Sequence, residues 1–362
     1  MHCNLCPRRC GAQRDQGELG ICRSPWEITA ARAALHMWEE PVLSGKSGSG
    51  TVFFSGCSLG CVFCQNHTIA AGETAKIISS EKLSEIFLML QEKGAHNINL
   101  VTGSHYVPHL VKALKRAKNQ GLKIPVVYNT GSYEKVQTLK MLDGLVDIYL
   151  PDLKYKDSQL AQRYANAPDY FTYATAAIEE MVRQVGEPVL EPLELVENVG
   201  YNSGKENDSG NGEGRCVSGG TGSCEGRCVS GETGSSKERY SSEEVGNGKE
   251  EVEGDDEEML MKKGVIVRHL LLPGQAADSR EIIRYLYETY GNRIYISIMN
   301  QYTPCNELPQ YPELCRKVTQ EEYDHLVDYA IDLGVEQGFI QEGETAQESF
   351  IPAFDYEGLY RN

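Results

Sequence analysis

No run of eighteen apolar residues occurs in the 362 residues, so no segment reads as a bilayer-spanning helix. The chain opens with Cys3 and Cys6 and lacks a basic stretch followed by an apolar one, which predicts no export and a cytoplasmic location. A basic excess is missing too: the formal net charge is -17, and a phosphate backbone rewards a basic face, so nucleic acid is not an expected partner. Cysteine, by contrast, is plentiful. Twelve of them in a chain expected to stay in a reducing compartment read as metal ligands or free thiols rather than disulfides.

The charge is unevenly spread. Between Asn198 and Glu258 there are 15 acidic and 6 basic residues, which account for -9 of the -17, together with 14 of the 36 glycines. Within this stretch EGRCVSGGTGS (213–223) returns as EGRCVSGETGS (225–235). So few large apolar groups cannot offset an ordering entropy of roughly 1–2 kcal/mol per residue. Residues 191–263 are therefore expected to form a low-complexity, disordered acidic insertion, and Cys216, Cys224 and Cys228 read as products of the duplication rather than ligands.

Outside the insertion, six near-continuous apolar runs start at Thr51, Ile98, Pro125, Val146, Gly264 and Ile294. Their richness in Val, Ile and Tyr is that of parallel strands buried on both faces. Helical patterns separate them. In SSEKLSEIFLMLQEKG, Leu83, Ile86, Phe87 and Leu90 share one face, and similar patterns cover 107–120, 133–142, 278–290 and 320–333. The expected architecture is α/β, layered or barrel-like, with right-handed crossovers. Polar residues gather where the apolar runs end: Cys57 to Cys64, Thr102 to His105, Asn129, Asp152 with Lys154, Arg268 with His269, and Asn300 to Tyr302. In such sheets the ligand site forms at the carboxyl ends of the strands, so these groups are expected to meet at one mouth.

Cys57, Cys61 and Cys64 follow the first strand at the spacing C-x3-C-x2-C, and no fourth cysteine follows nearby. Thiolates hold iron–sulfur clusters. A four-iron cluster on three thiolates keeps one iron open to an incoming ligand, as catalytic zinc sites keep one open position. GCSLGCVFCQN (56–66) resembles the radical S-adenosylmethionine superfamily, and more narrowly the branch similar to pyruvate formate-lyase activating enzyme. CNLCPRRCGAQRDQGELGIC, LHMWEEP, VVYNTGSYE, IYLPDLKY, VIVRHLLLPG and MNQYTP carry the narrower likeness.

The resemblance implies a partial (β/α)6 barrel and a 4Fe-4S cluster on Cys57, Cys61 and Cys64. It also implies S-adenosylmethionine (SAM) as cofactor, cleaved reductively to a 5′-deoxyadenosyl radical that abstracts hydrogen. Phe63 matches an aromatic lying near the adenine, and Asp152 with Lys154 matches a pair near the SAM carboxylate. His269 lies on a strand that presents cofactor contacts in related enzymes. Many relatives have Gly-Gly-Glu where this chain has Thr102, Gly103 and Ser104. With Asn129, Thr102 and Gly103 complete the expected cofactor-binding set. The implied partners are a reduced flavodoxin or ferredoxin-type electron donor and a glycyl radical enzyme as protein substrate, with no membrane. A small molecule or another peptide as substrate, and a non-catalytic iron–sulfur or zinc protein, stand as alternatives.

Cys3, Cys6, Cys10 and Cys22 fit neither a common zinc-ribbon spacing nor a ferredoxin run. They read either as a second site for zinc or a cluster, or as reduced thiols or a labile disulfide. Cys305 and Cys315 have no partner pattern. Four segments result: a Cys-rich extension (1–45), the first part of the barrel (46–190), the insertion (191–263), and the last two strands with a final helix (264–362).

Overall fold

The computed structural model describes residues 2–193, 258–304, 308–341 and 352–360. The repeat with Cys216, Cys224 and Cys228, and also Cys305, lies outside them. Ten strands are formed: β1 (Ile28–His36), β2 (Ser49–Phe54), β3 (Lys76–Ile78), β4 (Ile98–Val101), β5 (Val126–Thr130), β6 (Ile148–Pro151), β7 (Val189–Pro192), β8 (Met259–Leu270), β9 (Tyr295–Met299) and β10 (Gly338–Ile340). The helices are α1 (Pro41–Ser44), α2 (His67–Ala70), α3 (Ser80–Glu92), α4 (Val107–Asn119), α5 (Val136–Leu139), α6 (Ser158–Ala165), α7 (Tyr170–Val185), α8 (Ala276–Tyr290) and α9 (Gln320–Leu333).

The sheet order is β10-β9-β8-β6-β5-β4-β2-β1-β3, with β7 beside β8. The expected strands β2, β4, β5, β6, β8 and β9 are parallel neighbours in that sequence, the pattern of a partial α/β barrel left open at both edges. Local chemistry starts the helices between them. The Ser79 hydroxyl accepts from Lys82 N and caps α3, while Thr319 and Glu322 form a reciprocal capping box on α9.

Side-chain alternation gives the sheet two different faces. Leu100, Tyr128, Tyr149, Val265 and Val267 point outward into the core shared with the helices. Val127, Ile148, Leu150 and Ile266 point inward and meet Leu43 of α1, which closes the floor of the barrel. Continuing the inward parity up each strand leads to Phe53, Val101, Asn129, Asp152 and Arg268, and these residues line a cleft at the carboxyl ends.

Several elements differ from the sequence reading. β1 is alanine-rich and so carries little strand propensity, but it pairs antiparallel with β2 along its length. The helix expected over 133–142 is one turn, α5, followed by a 3-10 turn at Lys140–Leu142. β8 begins at Met259 rather than Gly264 because Leu260 and Met261 are buried and pair with β7. Both limits set for the insertion, 191 and 263, therefore fall inside strands. Gly264 marks the change, since at φ +136° a Cβ there would meet Pro188 Cα at 2.8 Å.

Candidate active site

The loop after β2 carries Cys57, Cys61 and Cys64 to the cleft wall. It is held from several sides. Leu59 N donates to Cys57 Sγ (3.4 Å), Val62 N to Tyr164 O (2.9 Å) and Tyr155 Oη to Cys61 Sγ (3.6 Å). Phe63 is buried among Tyr155, Tyr164 and Tyr302, each edge-on at 6.1–6.4 Å between ring centroids. Arg8 reaches over from the N-terminal segment and donates to Ser58 O (2.8 Å) and Leu59 O (3.0 Å). Gly56 permits the closest approach: a Cβ there would stand 1.9 Å from Ser24 Oγ and 2.6 Å from Cys22 O.

Two of the three thiols, Cys61 and Cys64, are held above the usual thiol range. Burial pushes Cys64 up to about 12, with Cys57 and Cys61 adding to it. Burial also pushes Cys61 up to about 11, although the ammonium of Lys154 pulls the other way. Desolvated sulfurs that oppose one another's ionisation are the donor set that a thiophilic cation relieves. No other cysteine lines the cleft among the described residues. A cluster on this set would therefore keep an open corner facing the polar groups of the mouth. Neither cysteine set of the described chain stands in the tight geometry of a single bound ion.

Those polar groups form one buried network. Lys154 Nζ donates to Asp152 Oδ2 (2.7 Å), and Arg268 Nε donates to Asp152 Oδ1 (2.9 Å). Arg268 Nη1 reaches Glu39 Oε2 (3.2 Å), and its Nη2 reaches Asn129 Oδ1 (2.7 Å). Asn99 Nδ2 completes the chain on Glu39 Oε1 (2.9 Å). Burial alone would raise the Asp152 carboxyl, but Lys154 and Arg268 outweigh it and hold it below the usual range. At Glu39 burial dominates and the carboxyl is raised despite Arg268.

Of the residues expected at the cofactor, the structure brings Phe63, Thr102, Asn129, Asp152 and Lys154 to the cleft beside the three cysteines. Thr102 does so at φ +59°, a strained conformation for a β-branched residue costing on the order of 1–3 kcal/mol, kept at the cavity wall. Gly103 faces the other way, toward Leu110 of α4 and Phe54. His269 is also turned out of the cleft: its Nδ1 donates to Leu153 O (2.7 Å), and its Nε2 lies 2.8 Å from Ser279 Oγ of α8. Burial pushes His269 down to about 4, so it is a neutral packing residue. One step of strand parity separates it from Arg268, which takes the inward position. Glu39 is the site residue that sequence reasoning passed over, and of the pair Arg268 and His269 expected at the mouth only Arg268 reaches it.

A further buried acid stands behind the cleft wall. Glu134 accepts from Tyr128 Oη (2.9 Å) and from Thr130 Oγ1, with no cation beside it. Burial raises it to about 7 from an ordinary 4.5, while both hydroxyls pull it down. A carboxyl raised in the fold binds its proton more tightly folded than unfolded. Its contribution to stability is complete below about pH 4.5 and is lost as pH rises to about 7, by about 3 kcal/mol. Urea midpoints measured across that window should fall with pH in the parent, and the fall should flatten in Glu134→Gln.

Residues 51–186 match the family model described as the Radical SAM superfamily. The uncharacterised protein MJ0674 of Methanocaldococcus jannaschii is 34% identical over 176 residues, which cover 47% of this chain and 50% of its own. Two solved structures match at a TM-score of 0.43. SuiB of Streptococcus suis bound to precursor peptide SuiA is 12% identical, over 80% of this chain and 47% of its own. HydG, a maturase of the FeFe hydrogenase, is 11% identical, over 81% and 52%. The chain thus spans about half the length of each of these proteins.

Proposed function

We propose that this protein is a radical SAM enzyme that abstracts hydrogen from a substrate bound at the cleft. The observation that carries the reading is the convergence of three cysteine thiols with the Asp152–Lys154 pair on one cavity. Cys57, Cys61 and Cys64 would hold a 4Fe-4S cluster, and when bound it would supply the one electron that splits SAM into methionine and a 5′-deoxyadenosyl radical. The protein's part is positional. Asp152 fixes Lys154 at the inner mouth, where its ammonium faces a carboxylate or a sulfur. Phe63 anchors the loop in its tyrosine cage, and the apolar floor keeps water from the reacting centre.

Glycyl radical installation on a partner enzyme is the finer reading. It is supported by the sequence likeness to activating enzymes and by a half-exposed Trp38 at the cleft rim, suited to a docked polypeptide. The electron donor on this reading is a reduced flavodoxin or ferredoxin. After anaerobic reconstitution with iron and sulfide, dithionite and SAM should release methionine and 5′-deoxyadenosine in equal amounts, read by chromatography. A reconstituted, iron-loaded protein that leaves SAM intact rules the assignment out.

A further inference from the structure

The N-terminal thiols lie outside the cleft, and the chemistry above makes no use of them. Cys3, Cys6, Cys10 and Cys22 are all free, and Cys6 and Cys22 are buried. A Cβ at Gly20 would stand 3.1 Å from Cys22 Sγ and 3.5 Å from Cys10 Sγ, so both sulfurs crowd a point where only glycine leaves room. Arg14 Nη1 lies 3.9 Å from Cys3 Sγ. Cys3 N donates to Ala12 O (3.0 Å), Gly11 N to Cys3 O (3.2 Å) and Arg9 N to Cys6 O (3.2 Å), so backbone bonds fold the segment of Cys3, Cys6 and Cys10 back on itself. Two of them adjoin residues in left-handed conformations, Arg9 at φ +44° before Cys10 and Arg23 at φ +59° after Cys22. Such strain persists where the surroundings over-determine the fold.

A second observation is independent of the cysteines. Arg14 is 1% exposed. Its guanidinium donates to the carbonyls of Ser24 (3.2 Å), His105 (2.8 Å) and Pro25. No carboxylate pairs with it among the described residues. His105, whose carbonyl takes one of these bonds, is itself neutral, because burial pushes it down to about 3. The same guanidinium lies over the rings of Trp26 and Tyr106, at 5.8 and 5.4 Å from their centroids, so its neighbours are neutral oxygens and aromatic faces, with no anion among the described residues. Four thiolates around zinc or an iron–sulfur core carry net negative charge, and they would sit where that charge is needed.

We infer that Cys3, Cys6, Cys10 and Cys22 hold a second metal centre, closed by four thiolates and balanced by Arg14, which anchors the loop of Cys57, Cys61 and Cys64. The anchor is direct: Cys57 N donates to Cys22 O (3.2 Å), and Gly56 packs against the same carbonyl. A closed thiolate site leaves no position for substrate, so its role is to hold the fold.

The test uses the full chain with Cys57, Cys61 and Cys64 all changed to alanine, so its result stands apart from that of the SAM reading. Reconstituted anaerobically with iron, sulfide and zinc, this variant should keep either about one zinc per chain or a chromophoric iron–sulfur core, which separates the two chemistries. Adding Cys10→Ser should remove that metal about tenfold or more. Chelation should make the half-exposed Cys3 and Cys10 open to alkylation and speed amide exchange over residues 56–59 by about tenfold. The inference is overturned by a folded triple variant that holds neither metal, by disulfides among these four cysteines, or by exchange at 56–59 that ignores chelation.

Discussion

Cys61→Ala should reduce 5′-deoxyadenosine release by more than about a thousandfold, to the level of unloaded protein. Two thiolates cannot retain a cluster that three hold with one corner open, and burial that raises Cys61 to about 11 shows how poorly a lone sulfur there would ionise without metal. The fold should survive. Cys61 is only partly buried, and its sulfur takes a long contact from Tyr155 Oη (3.6 Å), so the thermal midpoint should move by a few degrees at most. Cys315→Ala is the matched control, because that exposed thiol touches only the carbonyls of Leu308 and Tyr311. Equal loss in both variants would mean general thiol damage, and an active Cys61→Ala would remove the cluster from these three positions.

The parallel strands were legible because each is an apolar run bounded by turn chemistry, and the cluster loop because three cysteines in fixed spacing have few other uses. Phase was harder to read. In VIVRHLLLPG both Arg268 and His269 interrupt an apolar strand, and composition cannot say which faces inward. The apolar neighbours could have told them apart: Ile266 shares the floor with Leu43 and Ile148, whereas Val265 and Val267 belong to the helix-facing core, and parity then sends Arg268 to the cleft. Glu39 was hidden for another reason. It follows an alanine-rich strand of weak propensity, and its importance comes from packing across to Arg268, a contact between positions far apart in the chain. At Gly103 the difficulty was a bend: the strained backbone of Thr102 redirects the residue after it toward α4, and that bend has no signature in residue type.

Arg268→Met should cost about 3–5 kcal/mol, the usual result of removing one partner from a buried ion network. The methionine fills much of the same space, so the loss is electrostatic rather than steric. Asp152 would keep Lys154 alone, while Glu39 would keep only the amides of Asn99 and Asn129. Side-chain exposures of 8% for Glu39 and 14% for Asp152 leave little water to take the place of the guanidinium. Both carboxyls should rise toward protonation in the variant. A raised carboxyl contributes stability at low pH and forfeits it as pH climbs, so the gap from the parent should widen from about pH 5 to about pH 8. Glu39→Gln added to Arg268→Met should recover part of the loss, because it removes one of the stranded charges. Denaturant midpoints of the three proteins across that range decide the matter, and a gap independent of pH would show that Arg268 packs the cleft wall without balancing its charge.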